Sequence, residues 1–283
     1  MNQLNRTERA AIINCLVEGC SLRSTVRMTG FAKKTVQRFQ LEIGEACARF
    51  HDRFMKGLPC KDIQLDELWS FTYCKQKNIP DRLKGCNGIG DTWVWIAIDR
   101  DTKLIPSWHV GGRNGGDAYT FLLDLQSRLK QRIQLTSDAH SAYPSAVERA
   151  FGTEVDYARL IKLYGPAPDG PEVRYSPPEW IGSKRQVVSG DPNRRRISTS
   201  HVERQNLTVR MGSRRFTRLT NGFSKKIQNH KAAVALHFVH YNFARIHQSL
   251  RCTPAMEAGI ADHVWTAEEI AQLWETDRPA LFS

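Results

Sequence analysis

Lys61-Asp62-Ile63-Gln64-Leu65-Asp66-Glu67-Leu68-Trp69-Ser70-Phe71-Thr72-Tyr73-Cys74-Lys75 is an apolar, β-favouring run with acids set into it. Two more runs of the same character follow, 92–98 and 104–110, with the polar turn Asp99-Arg100-Asp101 between them. The three read as consecutive antiparallel strands. Residues 118–129 then place Phe121, Leu122, Leu125 and Leu129 on one stripe, the mark of an amphipathic helix. A strand over 132–136 delivers Asp138, and a helix over 143–151 and a short strand near 155–157 complete the series. Strand, strand, strand, helix, strand, helix, strand, helix is the order of an α/β ribonuclease H-like fold, a mixed sheet with helices on both faces. In that order the first strand lies beside the end of the fourth, which makes Asp66 and Asp138 neighbours.

A third acid belongs with them. Ser200-His201-Val202-Glu203-Arg204-Gln205-Asn206 puts Glu203 in the first turn of a helix, where Asn206 and Arg210 recur three and seven residues on and share its polar face. Each acid also has a plainer reading. Asp138 suits a turn, and Ser200 with Glu203 forms a capping-box sequence. In the first strand Asp66 shares a face with Gln64, Leu68 and Ser70, whereas Glu67 faces the other way with Leu65 and Trp69. Taken together, Asp66, Asp138 and Glu203 are a set of convergent carboxylates suited to magnesium. Two such ions, about 3.5–4 Å apart, can hold the attacking and leaving oxygens of a phosphodiester in line. Asn206 then suits a water and Arg210 a phosphate.

Charge names a polyanion as partner: 41 Lys and Arg stand against 29 Asp and Glu, a net charge of +12 with a pI near 9.5. With 283 residues and 41% hydrophobic content, the chain is long enough to bury a full core in two or three domains. It contains no apolar run of membrane-spanning length, and Met1-Asn2-Gln3-Leu4-Asn5-Arg6 lacks the apolar stretch of a signal peptide, so a cytoplasmic protein with no membrane partner is expected. Seven scattered cysteines without a C-x-x-C pair fit reduced thiols. Cys47, His51 and Cys60 lack paired ligand spacing and read as core residues rather than zinc ligands.

Residues 1–57 form a first unit. Thr7 is placed to cap a helix ending at Gly19, Ser21 to cap a second ending at Gly30, and a third is expected over 32–43, followed by a helical connector to residue 55. Gly30 in the tight turn between short helices fits a helix-turn-helix, whose last helix would present Lys33, Lys34, Thr35, Gln37 and Arg38 to DNA. The alternative is a three-helix bundle with a solvated basic face. Gly57-Leu58-Pro59 marks a boundary, with the catalytic unit expected over 58–215 and a C-terminal helical region over 216–283.

The stretch 165–197 holds six prolines, too many for a helix, and is rich in Arg and Lys, so it reads as a basic loop beside the site. Arg194, Arg195 and Arg196 are its candidate DNA contacts, and Arg214 and Arg215 in Arg214-Arg215-Phe216-Thr217-Arg218 are two more. A long helix over 224–246 carries Val234, Phe238 and Tyr241 on one face. Thr253-Pro254 and Thr266-Ala267-Glu268-Glu269 open two further helices.

Asp66-Glu67-Leu68-Trp69-Ser70-Phe71, Thr136-Ser137-Asp138-Ala139-His140, the run from Ser200 to Arg210, Tyr241-Asn242, His247-Gln248 and Thr253-Pro254 together resemble bacterial insertion-sequence transposases of the DDE superfamily, in particular the insertion-sequence-one type. The resemblance covers nearly the whole chain. It implies a ribonuclease H-like catalytic domain, two magnesium or manganese ions, and Asp66, Asp138 and Glu203 as the acidic triad. Ser137-Asp138-Ala139 departs from the Thr-Asp-Gly common there, keeping the acid and losing the glycine. The activity implied is binding of element ends, hydrolysis of a phosphodiester and transfer of the freed 3′ hydroxyl to target DNA, by a homo-oligomer assembled on DNA. Two other readings stand beside it: a catalytically silent helix-turn-helix regulator, and a structure-selective nuclease with the same active site.

Overall fold

Alternation along two strands sets the architecture. In β1 (Asp62–Thr72), Ile63 and Leu65 enter one hydrophobic core and Leu68 another; in β2 (Gly90–Asp99), Trp95 and Ala97 join the first, and Val94, Ile96 and Ile98 the second. The sheet therefore needs cover on both faces. In the computed structural model, which describes residues 3–166, 178–218 and 220–276, these strands join β3 (Ser107–Gly111), β4 (Ile133–Ser137), β5 (Val155–Tyr164) and β6 (Trp180–Ser189) in one sheet of order β3-β2-β1-β4-β5-β6. β1, β2 and β3 are antiparallel, β4 is parallel to β1 and β5 to β4, which is the ribonuclease H-like arrangement.

The first face is covered by α4 (Gly115–Arg128) and α5 (Tyr143–Phe151), which bury Phe121, Leu125, Tyr143 and Val147. Burying a side chain such as Leu125 or Phe121 is worth about 1.5–3 kcal/mol. The second face is covered by α6 (Ser200–Gly212) through Val202 and Val209, and by α7 (Ile227–Phe243) through Val234, Phe238 and Tyr241. Helix α7 also contributes Ala235, Leu236, Val239 and Phe243 to the first core, so it is buried nearly all round. Asn242 ties it to the sheet end, exchanging hydrogen bonds with both backbone groups of Ile105 (3.0 and 2.9 Å).

The N-terminal helices α1 (Arg6–Val17), α2 (Leu22–Thr29) and α3 (Lys33–Phe54) share that first core. Asn5, rather than Thr7, caps α1, in a reciprocal capping box with Glu8. Ser21 caps α2, and Gly30 ends it in the left-handed conformation at φ 76°. The third helix does not stop near Ile43. It continues unbroken to Phe54, because Gly44 serves as a helix contact and not as a breaker: a Cβ there would lie 2.3 Å from the Ala232 carbonyl oxygen on α7. α8 (Pro254–Glu257) and α9 (Ala267–Thr276) complete the chain as described; Thr253 caps the first, and Thr266 and Glu269 form a capping box at the second. Packing crosses the boundary expected at residue 57, since Phe39 meets Trp274 and Arg9 pairs with Glu275 at 2.7 Å. No helix among the described residues is long and apolar enough to cross a membrane.

The stretch expected as a loop over 165–197 contains the edge strand β6, and β5 runs to Tyr164 instead of ending near Tyr157. Prolines flank β6 at Pro178 and Pro192 and none falls inside it, so a proline count over the whole stretch concealed a proline-free strand. Pro168, Arg174, Pro171 and Pro177 lie outside the described residues.

Candidate active site

β1 and β4 pair in parallel only from Asp62↔Gln134 to Gln64↔Thr136. Beyond that the strands part, and the next acid on each, Asp66 and Asp138, stands two residues past the last pair. Asp138 turns its carboxylate back to accept the His140 amide at 2.8 Å. Carboxylate oxygens of Asp66, Glu67 and Asp138 lie within 4.8 Å of one another. Glu67 therefore joins the group although it belongs to the opposite strand face, because Asp138 sits in the opening between the parting strands, within reach of both. A clean separation of Asp66 from Glu67 by strand alternation does not hold here.

Helix α6 brings the remaining polar groups. Its first amides, those of His201 and Val202, donate to Gln64 Oε1 at 2.9 and 3.3 Å, so a strand side chain two residues before Asp66 holds the helix N-terminus on the sheet. The capping box that is the plainer reading of Ser200 and Glu203 does not form; the Ser200 amide donates to Ser198 Oγ at 3.2 Å instead. Asn206 Nδ2 donates to Asp66 Oδ2 at 2.6 Å, and the Glu67 amide donates to Asp66 Oδ1 at 2.8 Å. Glu203 accepts from Thr199 Oγ1 and pairs with Lys162 Nζ at 2.6 Å, which keeps its carboxylate apart from the other three. Asp66, Glu67, Asp138, Lys162, Glu203, Asn206 and Arg210 line one cleft of about 460 Å³.

Burial first, and then the charges of Glu67, Asp138 and Glu203, raise the Asp66 pKa to about 7 against the opposing Glu67 amide. Burial likewise raises Glu67, against Tyr143 and Arg113, whose Nε lies 3.2 Å from the carboxylate. Burial lowers Arg210, with Arg218 adding and Asp66 opposing. Asn206 Oδ1 is buried with no hydrogen-bond partner among the described residues. Carboxylates and an amide oxygen form a hard donor set, and three carboxylates within 4.8 Å of one another fit a divalent cation of the magnesium or manganese class. Gln64, Lys162 and Arg113 were not legible as site residues. Gln64 shares a strand face with Asp66, which was a usable signal; nothing local marks the other two.

The expected DNA contacts divide. Lys33, Lys34, Gln37 and Arg38 are exposed on the first turns of α3, with Thr35 half-buried. Lys33 and Gln37 face Arg23, Arg214 and Lys225 across a cleft of about 590 Å³. Arg194 and Arg195 are exposed. Arg196 is used internally, bound to Asp62 at 2.7 Å and Asp101 at 2.6 Å. Arg215 is half-buried and donates to Gln40 Oε1 and Ser224 Oγ, both at 2.6 Å. Arg196 and Arg215 are thus committed to the fold, since buried acids and amides need donors as much as DNA does.

No family model and no curated protein sequence matches the chain. Among solved structures, the Mos1 strand transfer complex is similar at 14% identity, over 56% of this chain and 59% of that one, with a TM-score of 0.24. The Mos1 mariner paired end complex with Mn is similar at 13% identity over 53% and 57%, with a TM-score of 0.22. The piggyBac transposase synaptic complex with hairpin DNA is similar at 10% identity over 99% and 74%, with a TM-score of 0.38. The chain spans about three fifths of the length of the Mos1 chains it matches. Likeness this loose leaves function to the chain's own geometry.

Proposed function

We propose that the chain is a DNA transposase of the DDE type, which hydrolyses a phosphodiester at element ends and transfers the freed 3′ hydroxyl to target DNA. The observation that carries this reading is the meeting of Asp66 and Asp138 at the parting of β1 and β4, in one cleft with Glu203, Asn206 and Arg210. Asp66, Asp138 and Glu203 would hold magnesium or manganese, which would supply Lewis-acid stabilisation of the charge that builds on the phosphodiester. The side chains do the rest. Asn206 fixes the rotamer of Asp66, and Arg210 offers a guanidinium to the phosphate oxygens. Lys162 pairs with Glu203; a phosphate entering the cleft would compete for that ammonium and leave the Glu203 carboxylate open to a cation. The resemblance implies two ions in this cleft.

The turn at Gly30 and the exposed start of α3 support a helix-turn-helix that reads element ends through Lys33, Lys34, Thr35, Gln37 and Arg38. Arg194, Arg195 and Arg214 are proposed as phosphate contacts, and assembly on DNA as a homo-oligomer follows from the same resemblance.

The test is metal-dependent nicking and strand transfer on DNA carrying the element ends. Asp66→Asn, Asp138→Asn and Glu203→Gln should each abolish both reactions in Mg2+ and Mn2+ while circular dichroism and DNA binding persist. Glu67→Gln is expected to impair them too, because Glu67 lies in the cluster. Near-normal cleavage by the Glu203 variant sinks the triad. Cleavage without strand transfer identifies a nuclease, and binding without cleavage a regulator.

A further inference from the structure

Beyond residue 161 the β5–β6 pair projects as a ribbon whose apolar side chains are largely uncovered. Tyr164 is 53% exposed and Trp180 61%. These two are cross-strand partners, so their rings stand on the same face of the ribbon. Tyr164 lines the cleft of the carboxylates together with Leu160 and Lys162, and Arg185, partner of Leu160, lies on that face as well. Neither aromatic ring packs against another ring among the described residues; Tyr164 lines the cleft, and Trp180 stands exposed beside it as its cross-strand partner. A strand edge held for folding alone would hide such residues or replace them with charges.

Resting on the reading as a DNA-processing enzyme, we infer that Tyr164 and Trp180 form a stacking site for an unpaired base of a DNA strand whose backbone runs past Lys162 and Arg185 toward Asp66. Aromatic faces bind bases of any sequence, and flanking cations follow the phosphates. The basic residues on the same face favour a polyanion over a second copy of this basic chain. Because β6 is the sheet edge, pairing with a second copy remains the competing occupant to be scored.

The experiment measures affinity by fluorescence anisotropy for a blunt DNA duplex and for the same duplex with a single-stranded tail. Trp180→Ala and Tyr164→Ala should each weaken binding of the tailed duplex by about tenfold and leave the blunt one unchanged. Trp180→Phe should restore most of the loss. Abasic tail nucleotides, which keep every phosphate, should weaken wild type as much as Trp180→Ala does and weaken the variant no further. Equal losses on both duplexes, or additive effects of variant and abasic tail, overturn the stacking site. So does a concentration-dependent dimer in sedimentation that Trp180→Ala abolishes with DNA affinity unchanged. A wild-type chain that binds no DNA overturns the transposase reading as well, whereas one that binds and cleaves while the variants behave as wild type overturns the stacking site alone.

Discussion

Replacing Asp66 by Asn tests the electrostatics of the cleft separately from its chemistry. The carboxyl titrates near 3.8 in the unfolded chain and at about 7 in the fold. Between those values the folded chain holds a proton that the unfolded chain lacks, so its stabilising contribution is full below pH 3.8 and is lost as pH rises through 7. At about 1.4 kcal/mol per pH unit, the ionised group destabilises the fold by on the order of 4 kcal/mol, and water in the open cleft reduces this to roughly 2 kcal/mol. Asn removes that penalty but presents an amide where Asn206 and the Glu67 amide now donate, which returns about 1 kcal/mol. In EDTA, urea unfolding should therefore show Asp66→Asn level with or below wild type near pH 4 and about 1 kcal/mol above it at pH 7.5. Mn2+ should then stabilise wild type and leave the variant little changed. A stability difference that is flat from pH 4 to 7.5 would refute a buried Asp66 carboxyl crowded by other acids, whatever the variant does to cleavage.

Arg194→Ala with Arg195→Ala should reduce the slope of log affinity against log salt by up to about 1.8, at roughly 0.9 per phosphate contact, without loss of stability. Arg196→Ala should behave in the opposite way, leaving the slope unchanged while destabilising the fold by about 2 kcal/mol, because Asp62, 1% exposed, keeps only Arg100 at 3.5 Å. His237, buried with neither ring nitrogen hydrogen-bonded among the described residues, has its pKa lowered by burial to about 3. Above pH 6.5 it is neutral in both states; below that the unfolded chain gains a proton, so His237→Leu should gain on wild type by up to about 1.4 kcal/mol per pH unit in acid urea titrations. A constant difference across pH would mean the ring finds a charged partner. Gly44→Ala should lower the urea midpoint by the equivalent of about 1–3 kcal/mol, since its Cβ meets α7 backbone; an unchanged midpoint would contradict the close α3–α7 contact.

Legibility differed from element to element. The strands at 62–72, 90–99 and 107–111 and the helix over 143–151 announce themselves by composition and period, and their boundaries shifted by only a few residues. β6 did not, because its own pattern is exposed nearly throughout and only an extended β5 beside it supplies hydrogen bonds. The unbroken α3 was likewise hidden: Gly44 looks like punctuation until Ala232, far along the chain, explains why a side chain has no room there.

What the sequence alone determined is the order of strands and helices, and with it a mixed sheet that places Asp66 beside Asp138, since period and connection length are local properties. Tertiary structure decided which groups meet. Glu67 joined the acids because β1 and β4 part after Gln64 and Thr136, Lys162 took Glu203 as its partner, and Arg196 and Arg215 turned inward to acceptors that need them. Those choices are made by the charges and unpaired polar groups that folding brings together from distant parts of the chain, and no local pattern records them.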